Sequence, residues 1–131
     1  MNKTVINPET VAKPIKPYYA NAVKVGPGNL LFISGQVALD SKGNLVGKGD
    51  IKAQTRQVLE NIKAILASVG AGMDNIVKVT VFLTDLRNFE AVAEVRAEYF
   101  RDNPPASTLV GVTALVSPDF LIEIEAIAMV D

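Results

Sequence analysis

Residues 120–130 alternate between two kinds of side chain, and this alternation constrains the fold more than any other stretch. One set of positions is wholly apolar, and the intervening set mixes apolar residues with two acids: Ile122, Ile124, Ala126 and Ala128 against Leu121, Glu123, Glu125, Ile127 and Met129. A period of two is typical of a β-strand with two unlike faces. If helices cover the apolar set, no segment remains to cover the other. We therefore expect a sheet whose second face is covered by further copies of the chain, in a closed homo-oligomer.

The remaining patterns predict the order β-β-β-α-β-α-β-β. Strands are expected near residues 3–7, 20–25, 30–39, 76–83, 107–113 and 120–130, and helices over 51–69 and 85–101. Asp50 is placed to cap the first helix, and Gly35 suggests a bulge. The turn Gly26-Pro27-Gly28-Asn29 favours a hairpin between the second and third strands. We predict one α+β domain over residues 1–131, with a mixed six-stranded sheet and both helices on one face.

Charge and hydropathy argue against several partners. The 131 residues carry 13 Lys and Arg against 14 Asp and Glu, scattered along the chain, for a net charge of −1. This balance provides no basic stripe for nucleic acid or an anionic membrane. Apolar runs fall short of the roughly 18 residues that a membrane span needs, and the N-terminus has no hydrophobic region of the signal-peptide type. The expected compartment is the cytoplasm.

The chain contains no cysteine and no histidine. Their absence removes disulfides, thiolate nucleophiles, the usual general base and the commonest metal ligands. Catalysis would depend on carboxylates, tyrosine, lysine, arginine, hydroxyls, backbone amides and bound water. We expect a site without metal or cofactor.

Several motifs along nearly the whole chain resemble the RidA family, also called YjgF/YER057c/UK114. They are Lys16-Pro17-Tyr18, Ser34-Gly35-Gln36, the first-helix run from Gln54 to Leu66, the run from Asp74 to Leu86, and Ile122-Glu123-Ile124-Glu125-Ala126. The resemblance implies a chorismate-mutase-like fold and a homotrimer whose sheets line an internal barrel, with clefts between subunits. It also implies hydrolysis of reactive 2-imino acids and enamines to keto acids and ammonia, without metal or cofactor.

Site residues follow from the same resemblance. Glu123 falls on the family's catalytic glutamate, which places or activates water; Tyr18 falls on its cleft tyrosine, and Gly35 keeps the strand geometry beside the cleft. Three substrate-binding positions depart from the pattern: Ser107 replaces the arginine that holds the substrate carboxylate, Leu109 replaces a frequent cysteine, and Ala93 replaces an asparagine on the second helix.

Loss of a charged partner in a desolvated site commonly costs roughly 2–5 kcal/mol. We therefore expect weakened activity or a substrate less anionic than an imino acid. An arginine on or near the second helix could substitute, although helix arginines are more often solvated: the candidates are Arg87, Arg96 and Arg101.

Alternatives with a structural or non-catalytic role stay open. Glu123 could be a carboxylate satisfied at an interface, Tyr18 an interface aromatic, and Ser107 a serine in a turn hydrogen bond. Glu125 has no matching catalytic role and is interpreted as structural. A trimer that binds a small metabolite or carboxylate ligand without turnover is the main alternative function. Endoribonuclease activity, a label attached to some family members, is disfavoured by the missing basic patch.

Overall fold

The computed structural model describes residues 2–131, so Met1 of the predicted domain lies outside it. Along the described residues the elements follow the predicted order of strands and helices. They are β1 Asn2–Ile6, β2 Ala22–Gly26, β3 Asn29–Gln36, α1 Ile51–Ala67, β4 Ile76–Leu83, α2 Phe89–Tyr99, β5 Ala106–Gly111 and β6 Ile122–Val130. Short 3-10 turns, Met73–Asn75 and Leu86–Asn88, precede β4 and α2.

The strands form a mixed arrangement, as predicted for this α+β fold. Four strands pair in the order β3-β6-β4-β5, with β4 and β5 parallel and the other pairs antiparallel. β1 and β2 form an antiparallel ribbon. A single parallel bridge between Ala20 and Ala106, and a 2.9 Å hydrogen bond from the Ala20 N–H to the Pro105 carbonyl, join this ribbon to the β5 edge.

The predicted hairpin between the second and third strands is wrong. β2 pairs with β1, placing Val23 opposite Val5, whereas β3 pairs with β6, placing Ile33 opposite Ala126. Gly26, at φ +145°, turns the chain between the two ladders. A turn signal in the sequence reports only that the chain changes direction, and pairing with the buried strand β6 gives the apolar residues of β3 a better environment.

The core lies between the sheet and the helices. The apolar set of β6 is buried, as predicted, together with the stripe of α1 that includes Val58, Leu59, Ile62 and Leu66. Asp50 caps α1 by accepting a 3.1 Å hydrogen bond from the Ala53 N–H. The expected irregularity at Gly35 is present as a register shift between Ile33 and Gln36 in the β3–β6 pairing.

The other face of the sheet is open in the single chain. Phe32 is 70% exposed there and lies opposite Ile127, while Glu125 lies opposite Thr80. The sequence predicted this uncovered, partly apolar face from the alternation in β6. Within residues 2–131, no helix has both the length and the apolar character needed to cross a membrane.

Candidate functional site

A cavity of about 160 Å³ lies where the N-terminal segment, α2 and β5 meet. Three predicted substrate-binding residues, Tyr18, Ser107 and Leu109, line it together. The remaining walls come from Ile15, Tyr19, Phe89 and Arg96. The structure thus brings together positions that lie about ninety residues apart in the chain.

The register of β5 explains why Ser107 and Leu109 face this cavity. They lie opposite the buried residues Val79 and Val81 of β4, respectively. In a parallel pair, residues opposite one another point to the same side of the sheet, and successive residues alternate between the two sides. Ser107 and Leu109 therefore face the helices.

Arg96 is the charged group of the cavity, and its burial was not expected. Only 2% of the residue is exposed, so the expectation of a solvated helix arginine is wrong for this position. One Nη donates a 2.8 Å hydrogen bond to Ser107 Oγ, and the guanidinium carbon lies 4.4 Å from the centroid of the Tyr18 ring. Nε is buried with no hydrogen-bond partner among the described residues.

Burial lowers the pKa of Arg96 to about 10, because desolvation disfavours the charged form. The group nevertheless remains a cation at neutral pH. Burial also raises the pKa of the Tyr18 phenol, an effect that the nearby Arg96 charge opposes. The cavity therefore presents a positive charge beside neutral aromatic and aliphatic walls.

The other two candidate arginines lie elsewhere. Arg87 is highly exposed and forms a 2.8 Å ion pair with Asp85, and Arg101 is exposed. The signal for Arg96 was present in the sequence: it follows Val92 and Ala93 by one helical turn, on the buried stripe of α2. Ala93 itself is buried one turn before Arg96 and is not part of the cavity lining.

The rim of the cavity is held by polar contacts from the N-terminal segment. The Ile15 N–H donates a 3.0 Å hydrogen bond to the Tyr19 hydroxyl. Lys16 forms a 2.8 Å ion pair with Glu90 and lies 5.8 Å from the centroid of the Phe89 ring. Exposed pairs of this kind contribute little stability, but they fix the course of the segment over α2.

Glu123 and Gly35 form a second predicted cluster, on the open face of the sheet. Glu123 lies opposite Phe82 of β4, whose side chain points away from the helices. A Cβ atom added at Gly35 would lie 2.7 Å from Glu123 Cδ, so the close approach of this side chain to β3 requires glycine. The structure thus explains the glycine by its contact with the predicted catalytic carboxylate.

The two clusters do not meet within one chain. Ser107 faces the helices, whereas Glu123 faces the open side of the same sheet. Within one chain, Ser107 and Glu123 therefore do not flank a common site. Within the described range 2–131, no group of three or more Asp or Glu side chains is arranged to hold a metal ion.

Comparison with known proteins places these features in context. Residues 9–130 match the family model described as Endoribonuclease L-PSP. A RutC family protein of Pyrococcus horikoshii is 52% identical over 126 residues, which are 96% of this chain and 97% of that protein. Protein DfrA of Myxococcus xanthus is 41% identical over 129 residues, covering 98% of this chain and 97% of that one.

Solved structures give the same result. The Rid family protein YyfB of Yersinia pestis superposes with a TM-score of 0.91 at 39% identity, covering 99% of this chain and 100% of that chain. A Mycobacterium tuberculosis member of the YjgF/YER057c/UK114 family superposes with a TM-score of 0.68 at 30% identity, covering 98% of this chain and 100% of that one.

Proposed function

Because the chain belongs to the Endoribonuclease L-PSP family, which includes the RidA/YjgF proteins, we propose that it hydrolyses small imines or enamines in clefts between the subunits of a homotrimer. The observation that carries the proposal is the pair of half-sites on opposite faces of one sheet. One holds a buried cation, Arg96, beside a small cavity, and the other holds a carboxylate, Glu123, packed on glycine.

Trimer formation would unite the two halves. The open face carries exposed apolar residues such as Phe32 beside Glu123 and Glu125, and a surface of this kind is stabilised by burial against identical copies. In a cyclic trimer, the face of one subunit meets a different surface of its neighbour, so Glu123 of one copy can approach the cavity of the next. Light scattering should give close to three times the chain mass, and a monomer mass would reject the trimer.

The chemistry needs only groups that this chain supplies. Water adds to the C=N carbon while Glu123 accepts one of its protons, giving a carbinolamine. That proton and the remaining hydroxyl proton both pass to nitrogen, and cleavage of the C–N bond then releases ammonia and leaves a carbonyl group. The net reaction converts imine and water to a carbonyl compound and ammonia, with no change of oxidation state. A carboxylate is a competent general base for this step when it is held close to the water.

The test is direct. 2-Iminopropanoate is generated in situ, and pyruvate release is followed with and without the protein. We expect a faster release, lost in Glu123→Gln and retained in a variant at exposed Lys42. No acceleration with several imines, while small carboxylates still bind the cavity, would instead favour a non-catalytic metabolite-binding trimer.

Cleavage of RNA, which the description of the family model names, is less well supported here. Two basic side chains of α1 are paired with acids of α2, in Lys52–Glu94 and Arg56–Glu98, and the chain has a net negative charge. A backbone-binding surface needs unpaired basic residues grouped on one face. Incubation with single-stranded RNA in the same preparation serves as a parallel measurement.

A further inference from the structure

Arg96 is a buried cation without an acidic partner. None of the ion pairs within residues 2–131 includes it, and its guanidinium donates a hydrogen bond to the neutral Ser107 hydroxyl. Of the five N–H donors that a guanidinium carries, the buried Nε–H has no acceptor in the described part of the chain. Desolvating a charge without a counter-charge is costly, and proteins normally compensate for it.

The groups around Arg96 compensate for only part of that cost. Stacking on Tyr18 provides a cation–π contact, and the serine hydroxyl provides a neutral acceptor. Neither removes the net positive charge. The space next to the guanidinium is the cavity itself, so a counter-charge can be supplied by a bound ligand.

The cavity limits what that ligand can be. Its volume of about 160 Å³ lies below the roughly 300–1,000 Å³ that is typical of pockets for drug-sized ligands. Leu109, Phe89 and Ile15 provide apolar walls. An anion with a short aliphatic body fits these features, whereas a neutral polar molecule would leave the guanidinium unpaired.

We propose that Arg96 determines the specificity of this cavity by pairing with the carboxylate of a small monocarboxylate, and that Ser107 is a positioning residue that orients the guanidinium. The cation therefore comes from α2. In the family pattern it would come from β5, where this chain has Ser107. This inference deepens the proposed function, on which it rests for the identity of the substrate cleft. It replaces the expectation of a less anionic substrate with a 2-imino monocarboxylate.

Binding can be measured without turnover, using propionate and its neutral analogue propionamide as probes in calorimetric titrations. We expect saturable binding of propionate by the wild-type protein and at least tenfold weaker binding of propionamide, a difference of about 1.4 kcal/mol. Arg96→Met should abolish the preference, because it keeps the aliphatic part of the side chain and removes the charged guanidinium. Arg87→Met, at an exposed arginine beside α2, is the matched control and should bind propionate normally.

The role of Ser107 has its own readout. Ser107→Ala should weaken propionate binding, and Ser107→Thr, which keeps a hydroxyl acceptor, should restore it. A purely structural serine would not give this rescue. If Arg96→Met fails to fold, the Ser107 pair and the propionate–propionamide comparison on the wild-type protein still decide the question.

Two outcomes would overturn the inference: no saturable propionate binding by the wild-type protein, or equal binding of propionate by Arg96→Met. These results are distinct from failure of the proposed function. A protein that binds propionate through Arg96 but does not accelerate imine hydrolysis would contradict only the deaminase. If the protein accelerates hydrolysis and Arg96→Met leaves the KM unchanged, only the role of Arg96 is contradicted.

Discussion

At the scale of single residues, the charge of the cavity depends on an exchange between two positions. Ser107 stands where the family pattern has an arginine, and Arg96 on α2 supplies a positive charge instead. Sequence reasoning identified Ser107 as a departure from the family pattern and named Arg96 among three possible substitutes. The position of Arg96 on the apolar stripe of α2 was visible in the sequence, but its partner Ser107 was not, because a residue within a helix gives no sign of its contact on a strand. The 2.8 Å contact between them exists only after α2 packs on β5.

The exchange predicts the effect of restoring the family residue. Ser107→Arg places a second guanidinium against buried Arg96, so we expect it to lower the free energy of unfolding by about 2 kcal/mol or more through like-charge repulsion and desolvation. The double variant Ser107→Arg with Arg96→Met carries one cation and should recover most of that loss. Urea unfolding of both variants is the measurement, and a single variant as stable as the wild type would contradict the charge argument.

A second residue-scale prediction concerns Gly35. Gly35→Ala pushes its new methyl group into the Glu123 side chain, whose flexible end can move. We expect imine hydrolysis to fall at least about tenfold while the melting temperature changes little. Gly72→Ala is the matched control, since a methyl group there meets open space. Full activity in Gly35→Ala would show that the position of the Glu123 carboxylate is unimportant.

At the scale of elements, patterns that depend on near neighbours were predictable. α1, its Asp50 cap and the buried face of β6 follow from helical and strand periodicity and from capping chemistry. The partners of β2 and β3 were not predictable in this way, because strand pairing is decided by burial across distant parts of the chain. The local turn at Gly26 was compatible with two outcomes: a hairpin between β2 and β3, or a chain that leaves one pair of strands and enters another.

β1 is tied to the rest of the molecule by Lys3. Its Nζ donates hydrogen bonds to the carbonyls of Asp74, Ile76 and Asn103, at 3.1, 2.9 and 2.6 Å. Burial lowers the pKa of Lys3 from 10.5 to about 8, an effect that the Asp74 charge partly opposes. The folded state therefore holds this proton less tightly than the unfolded state does.

This shift predicts a pH dependence. Between pH 8 and 10.5 the unfolded chain binds more protons at Lys3, so this residue makes the free energy of unfolding rise with pH across that window. Lys3→Met should remove this contribution. In urea unfolding at several pH values, its free energy of unfolding should rise less with pH, or fall more steeply, than that of the wild type. Lys42→Met, in an exposed turn, should keep the wild-type slope. Identical slopes for wild type and Lys3→Met would refute the linkage.

At the scale of the whole molecule, one sheet presents two different half-sites. The alternation in β6 predicted an uncovered face, and the structure places Glu123 there and Arg96 on the opposite side. The sequence could not show on which face Ser107 lies, because that depends on the register that joins β5 to β4. A single chain therefore holds both kinds of group without bringing them to one point.

Mixed trimers test the proposed assembly. Glu123→Gln and Arg96→Met subunits are each expected to be inactive alone. The two kinds of subunit are unfolded and refolded together in equal amounts. A cleft between neighbours is complete when one subunit supplies Glu123 and the next supplies Arg96, which random assembly gives in about a quarter of the clefts. About a quarter of the wild-type rate should therefore return for a cyclic trimer. No recovery, with mixed trimers verified by mass, would place both groups of each site within one chain.

The position of the two half-sites on one sheet also determines how strongly a mutant gene copy would affect activity when it is expressed beside an intact copy. In the proposed trimer, each subunit serves a cleft on each side and takes part in two sites at once, so a chain defective in both groups would disable two of the clefts in any trimer that it enters. A damaged gene copy expressed beside an intact one would then reduce activity by more than its share of the protein. This dosage effect follows from the proposed trimer together with the placement of Ser107 and Glu123 on opposite faces of one sheet.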